Sequence, residues 1–168
     1  HANPEVDAWN PITWLMILVF GNNIYSFLLQ FLLYVYLGGV GMFKLAKGLG
    51  LNNEAALMVG ISYSLCGTFA GSAQHFPMLI SIAWLPFVIH YFLQIVAVQN
   101  IITGLKCAFF LFMLAVGGYP AVFIIIVYLL TAIFLFHLIS TMIKQKNIRH
   151  IFPFLRVNFL VVCFFMLL

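Results

Sequence analysis

Apolar runs of about twenty residues follow one another along this chain, and half of its ten charges fall in two of the links between them. A helix that is apolar all round has to be buried in protein or in lipid. Composition decides between the two. Charged residues make up 6% of the 168 residues and hydrophobic residues 65%, whereas a soluble domain carries about 25% charge. Lipid is therefore the solvent, and backbone groups out of reach of water must be paired within helices. The fold expected is all-α, a polytopic transmembrane helix bundle.

The runs predict six spans at about 23–43, 54–72, 77–97, 102–117, 119–142 and 151–168. Before them, Pro11 to Phe20 is apolar but short, and Gly21-Asn22-Asn23 ends it, as expected of an interfacial or re-entrant helix. Residues 1–22 thus read as the end of a loop with that helix, and residues 23–168 as the bundle. The chain starts at His1 and stops within an apolar run, with no basic-led signal peptide, so it reads as an internal piece of a longer protein. Alternate crossings put all seven basic residues, Lys44, Lys47, Lys106, Lys144, Lys146, Arg149 and Arg156, on one side. That side is predicted to be cytoplasmic. A net charge of +4 is too small to suggest nucleic acid, and its placement accounts for it.

Several features read as packing. Ala56, Gly60, Ser64, Gly67 and Gly71 recur every three or four residues, a face that lets a neighbouring backbone approach closely. Gly38, Gly39 and Gly41 are expected to do the same, with some local loosening of the helix. Cys66, Cys107 and Cys163 lie in apolar runs without metal-ligand spacing and read as buried small hydrophobes. Gln30, His90, Gln94 and His137 are expected to make interhelical hydrogen bonds. Glu54, after Asn52-Asn53, reads as the first-turn acid of an Asn-capped helix.

The non-basic side gathers a different set. His1–Asn10 brings Glu5 and Asp7, a link brings Gln74 and His75, and a Gly117-Gly118-Tyr119-Pro120 turn brings a phenol. Trp9 and Trp14 fit the interface belt. A carboxylate there could act as base on an acceptor hydroxyl, while an imidazole or phenol hydrogen-bonds phosphate or sugar. Turn chemistry explains the same residues without any ligand.

Leu37-Gly-Gly-Val-Gly-Met-Phe-Lys-Leu-Ala-Lys-Gly-Leu-Gly-Leu, Ala55-Ala-Leu-Met-Val-Gly-Ile-Ser-Tyr-Ser-Leu-Cys-Gly, His75-Phe-Pro with Trp84-Leu-Pro, and Ala115-Val-Gly-Gly-Tyr-Pro resemble, in order and spacing, the YfhO family of bacterial membrane proteins. The resemblance covers about residues 10–145. That family is grouped with the GT-C glycosyltransferases. It implies a multi-pass protein of the bacterial cytoplasmic membrane that moves a sugar from a polyprenyl-phosphate donor to a cell-envelope glycan on the outer face. It also implies that the principal catalytic Asp precedes this chain, with Asp7 a secondary catalytic candidate and Glu5, Gln74, His75 and Tyr119 as substrate-binding residues. Where the family often has Gly-His-Pro-Gln, this chain has Gly118-Tyr119-Pro120-Ala121, which shifts any role of that His to Tyr119. No cofactor motif is present, and a divalent metal and the oligomeric state stay open. A transporter or accessory subunit for lipid-linked glycans shares the hydropathy, but would carry broken helices or polar midplane groups, and the sequence reads as nearly bare there.

Overall fold

A computed structural model describes residues 10–71, 75–117, 119–144 and 151–167. These residues are helical, with no strand among them, in the order α1 (Pro11–Phe20), α2 (Ile24–Gly48), α3 (Asn53–Ser64), α4 (Gly67–Gly71), α5 (Phe76–Val98), α6 (Ile101–Val116), α7 (Pro120–Lys144) and α8 (Ile151–Leu167). The helices α2, α5 and α7 are long and apolar enough to cross a membrane. The 25 residues of α2 reach about 37 Å at 1.5 Å per residue, against a hydrocarbon core of about 30 Å. The chain is a helical membrane protein.

Asparagine starts the helices. The Asn10 Oδ1 accepts from the Ile12 N–H at 3.0 Å, the Asn52 Oδ1 from Ala55 at 2.9 Å, and the Asn100 Oδ1 from Ile102 at 3.1 Å. Each satisfies a donor that the first turn leaves unpaired. Glu54 stands in the first turn behind Asn52, as expected.

The centre of the bundle is α5, which is buried along most of its length and packs against α2, α6, α7 and α8. Ring contacts fix the registers. Phe27 meets Phe76 with centroids 4.7 Å apart and Tyr34 meets Trp84 at 6.3 Å, so α2 and α5 run parallel. Ser81 faces Leu114 while Tyr91 faces Lys106, so α6 runs back along α5. Phe123 stacks on Phe165 at 5.7 Å and Phe134 on Phe154 at 5.2 Å, which makes α7 and α8 antiparallel. Lys44, Lys47, Lys106 and Arg156 consequently fall at one end, within the last turns of α2 and the first two turns of α6 and α8. The starts of α2, α5 and α7 lie at the opposite end.

The expected second span is not one helix. It divides at Leu65–Cys66 into α3 and the five-residue α4. Only part of its small-residue face packs as expected. A Cβ on Gly60 would sit 2.9 Å from the Gly39 carbonyl oxygen, and one on Gly39 would strike Ser64, so α2 and α3 touch backbone to backbone. A Cβ on Gly67 or Gly71 would meet nothing within 4 Å, because the break turns both off the α2 face. On α2, Gly38 lies under Phe69 and Gly41 under Phe87, and the helix continues to Gly48 without the expected loosening. The rings of α4 and α5 take the space that the missing side chains leave.

Gly60→Ala should therefore lower stability in detergent by about 1–3 kcal/mol, the usual range for overpacking, while Gly67→Ala should stay within about 0.5 kcal/mol. Thermal unfolding of the two variants measures the difference. Equal losses would show that α2 and α3 are not in backbone contact.

Candidate functional site

The buried face of α2 is its polar and small face: Ser26, Gln30, Tyr34, Gly38, Gly41 and Leu45, at steps of three or four. Ile24, Tyr25, Leu28, Leu32 and Tyr36 point outward. Hydrocarbon offers no partner to a hydroxyl or amide, which favours turning Ser26, Gln30 and Tyr34 toward the protein, although the Tyr25 and Tyr36 phenols stay outside. α1 folds back along this face. The Asn10 side chain, 2% exposed, donates from Nδ2 to the Tyr34 hydroxyl at 2.6 Å. The Gln30 amide donates to the Thr13 hydroxyl one turn of α2 nearer the opposite end. Tyr34 is ten residues beyond Ile24, about 15 Å along the helix. Asn10 therefore sits near the middle of α2, not at its end.

Trp84 closes this cluster from α5. Its ring stands edge-on to Tyr34 at an interplanar angle of 84°, and its Nε1–H, fully enclosed, has no hydrogen-bond partner among the described residues. The midplane is thus not bare: Asn10, Tyr34 and Trp84 gather there, with Tyr63 donating to the Ile82 carbonyl at 3.0 Å beside them. An amide, a phenol and an indole N–H make a neutral, hydrogen-bonding and aromatic surface, suited to hydroxyl-rich groups more than to ions.

The residues singled out from sequence are distributed otherwise. His75 is exposed at the head of α5, its carbonyl accepting from the Met78 N–H at 2.9 Å. Tyr119 is half-buried immediately before α7. Both belong to the same end of the bundle, yet no hydrogen bond or ring contact among the described residues joins them. Glu5, Asp7 and Gln74, with Trp9, lie outside the described residues. Trp14 is 65% exposed on α1.

Of the four polar groups expected to bond between helices, Gln30 does so. The His90 and Gln94 side chains instead meet each other within α5, 3.1 Å apart, and the His137 ring lies against Phe154. The thiol of Cys107 is buried, while Cys66 and Cys163 are half-exposed and all three are free.

On the other side of α5 a lateral groove of about 600 Å³ opens between α5, α6, α7 and α8. Phe92, Leu111, Phe123, Leu130, Phe159 and Phe165 line it. Thr131 and Asn158 border it too, but each donates to a carbonyl of its own helix. The groove offers an apolar shape and little chemistry. Among the described residues no group of three His, Cys, Asp or Glu is placed to hold a metal ion.

Sequence reasoning passed over Tyr34 and Trp84, although the four-residue spacing of Ser26, Gln30 and Tyr34 marks a polar helix face that lipid would not tolerate. Comparison with family models, with curated proteins and with solved structures finds no match for the chain.

A double-mutant cycle on Asn10→Ala and Tyr34→Phe should give a coupling of about 0.6 kcal/mol, and no more than about 1.7 kcal/mol, the span measured for hydrogen bonds in membranes. Unfolding in mixed micelles supplies the four stabilities. Strict additivity would mean that the two side chains do not meet.

Proposed function

We propose that this chain is the membrane-embedded part of a GT-C-type glycosyltransferase, akin to the YfhO family, in the bacterial cytoplasmic membrane. It takes a sugar from a polyprenyl-phosphate donor and passes it to a cell-envelope glycan on the outer face. One observation carries the reading: the bundle is polarised. Basic residues occupy one end, while His75 and Tyr119 stand at the other, above the neutral amide and aromatic cluster of Asn10, Tyr34 and Trp84. The basic end is assigned to the cytoplasm.

In this reading a carboxylate takes the proton of the acceptor hydroxyl. The acceptor oxygen bonds to the anomeric carbon as the bond from that carbon to the lipid phosphate oxygen breaks, and the phosphate departs with the electron pair. The principal base precedes this chain, Asp7 supports it, and Glu5, Gln74, His75 and Tyr119 bind phosphate and sugar. The lateral groove beside α7 and α8 has the apolar character that the donor's chain needs.

A second reading gains from the structure. The break between α3 and α4, together with polar groups at mid-depth, is a pattern of transporters. Proteoliposomes containing the complete parent protein separate the two. A transferase releases polyprenyl phosphate only when the acceptor glycan is present, whereas a transporter moves intact donor across the bilayer without consuming it.

The orientation predicts that, in a background lacking native cysteines, Gln74→Cys reacts with an impermeant reagent added to intact cells and Asn100→Cys does not. The reverse pattern overturns the outer site. At matched membrane abundance His75→Ala should reduce transfer more than His137→Ala. Asp7→Asn should cost about 10–200-fold, the worth of a hydrogen bond to a charged group. A loss of about a thousandfold or more lies within the range for a general base and would make Asp7 the base itself.

A further inference from the structure

The division between α3 and α4 lies at a depth where helices are not normally interrupted. The Ser64 hydroxyl reaches the Val35 carbonyl at 3.3 Å, and Val35 is the twelfth of the 25 residues of α2. The break is therefore level with the middle of a helix that is itself long enough to span. Around it the four-residue hydrogen-bond ladder gives way to three-residue steps, from the Cys66 N–H to the Tyr63 carbonyl at 3.3 Å and from the Phe69 N–H to the Cys66 carbonyl at 3.1 Å.

One side of this segment is uncovered. Leu65 is 79% exposed, and Ser62, Gly67, Thr68 and Gly71 are exposed with it. The glycines are open as well, with no atom within 4 Å of a Cβ placed on Gly67 or Gly71. Against hydrocarbon, each unpaired peptide group costs several kcal/mol, so irregular backbone at this depth is tolerated only where protein covers it or water reaches it. The hydroxyls of Ser62 and Thr68 flank the break on its exposed side. Thr68 hydrogen-bonds Cys66 within the segment, and neither hydroxyl has a hydrogen bond to another helix among the described residues. A covering of water would pair with these hydroxyls and with the exposed backbone, which an apolar partner surface would not.

We infer that a water-filled cleft runs along α4 to the α3–α4 break, bringing solvent to mid-depth of the bundle beside Ser62, Cys66 and Thr68. The cleft does not depend on whether the protein transfers or transports its ligand. It identifies where a polar headgroup can enter the bundle while its apolar part stays in lipid.

Cys66 is a native reporter, half-exposed at the break, and Cys163 on α8 is a half-exposed control. The full chain in membrane vesicles is prepared with Cys66 as its single cysteine, with Cys163 as its single cysteine, and as a Thr68→Cys variant lacking the three native cysteines. Each is treated with a charged methanethiosulfonate or with uncharged N-ethylmaleimide. Cys66 and Thr68→Cys should react with the charged reagent about tenfold faster than Cys163 or more, since the hydrated thiol supplies the reactive thiolate. If both react only with N-ethylmaleimide, the break faces hydrocarbon and the cleft does not exist. If neither reacts until the protein is unfolded in detergent, a protein segment or a second copy covers the break, which equally overturns the inference.

Discussion

Inside a bilayer a peptide N–H or C=O cannot turn to water, so each place where this chain leaves a helix has to find a partner or a route to solvent. At the basic end the solution is local: Asn52 and Asn100 cap the helices that start there. The start of α2 is closed by Ser26, whose hydroxyl accepts from the Asn23 N–H at 3.2 Å and donates to the Asn23 carbonyl at 2.6 Å. Asn10 faces a harder case, because α1 begins deep along α2. It serves α1 as cap through one atom of its amide and bonds Tyr34 through the other. A buried amide left half-satisfied would cost about 1–3 kcal/mol, so position 10 couples the start of α1 to the interior of α2.

The same constraint explains why the two ends of the bundle differ in build. Near the basic end Phe110 is stacked between Phe87, 4.8 Å away, and Tyr91, 5.3 Å away. Lys44 lies over the outer ring of Phe87 at 5.7 Å and Lys106 over Tyr91 at 5.8 Å. Residues from α2, α5 and α6 are tied together by this stack, and each ammonium, on an exposed lysine, gains about 0.5–1 kcal/mol from the ring face. Toward the other end α4 is short and a Cβ at Gly71 would touch nothing. Among the described residues, aromatic stacking thus ties the helices nearer the basic end, and the small residues of α4 make no such contact.

How far the sequence was legible follows from what hydropathy can register. Apolar runs separated α2, α5, α6, α7 and α8 to within about five residues, because each is a sustained apolar run and most of their ends carry asparagine, glycine or proline. The break at Leu65–Cys66 left no such mark. Ala56, Gly60, Ser64, Gly67 and Gly71 keep helical spacing across it, and small residues suit a packed face and an unwound turn equally well. The distinction lies in the partner. Gly60 meets Gly39, whereas Gly67 meets nothing, and pairing between helices is not written in either segment alone. Trp84 was hidden for a related reason: its neighbours Tyr34, Phe87 and Phe110 come from three helices. Glu5 and Asp7, the carboxylates of the expected site, lie outside the described residues.

The chemistry of the mid-depth cluster limits what it can do in either reading of the protein. Asn10, Tyr34 and Trp84 present an amide, a phenol and an indole, which orient hydroxyls and sugar faces but are poor at accepting a proton at neutral pH. Of the three acids in the chain, Glu54 stands in the first turn of α3, at the basic end. Among the described residues the His75 imidazole stands near the opposite end, and Glu5 and Asp7 lie outside them. On the proposed function, recognition and proton transfer are therefore divided between segments. The helices hold a neutral, buried surface on which no charge has to be desolvated. Among the described residues, ionised groups stand toward the ends, where water can still solvate them. On the proposed function, a neutral surface at mid-depth would serve recognition, and the bond made or broken would lie nearer the ionised groups at the surface.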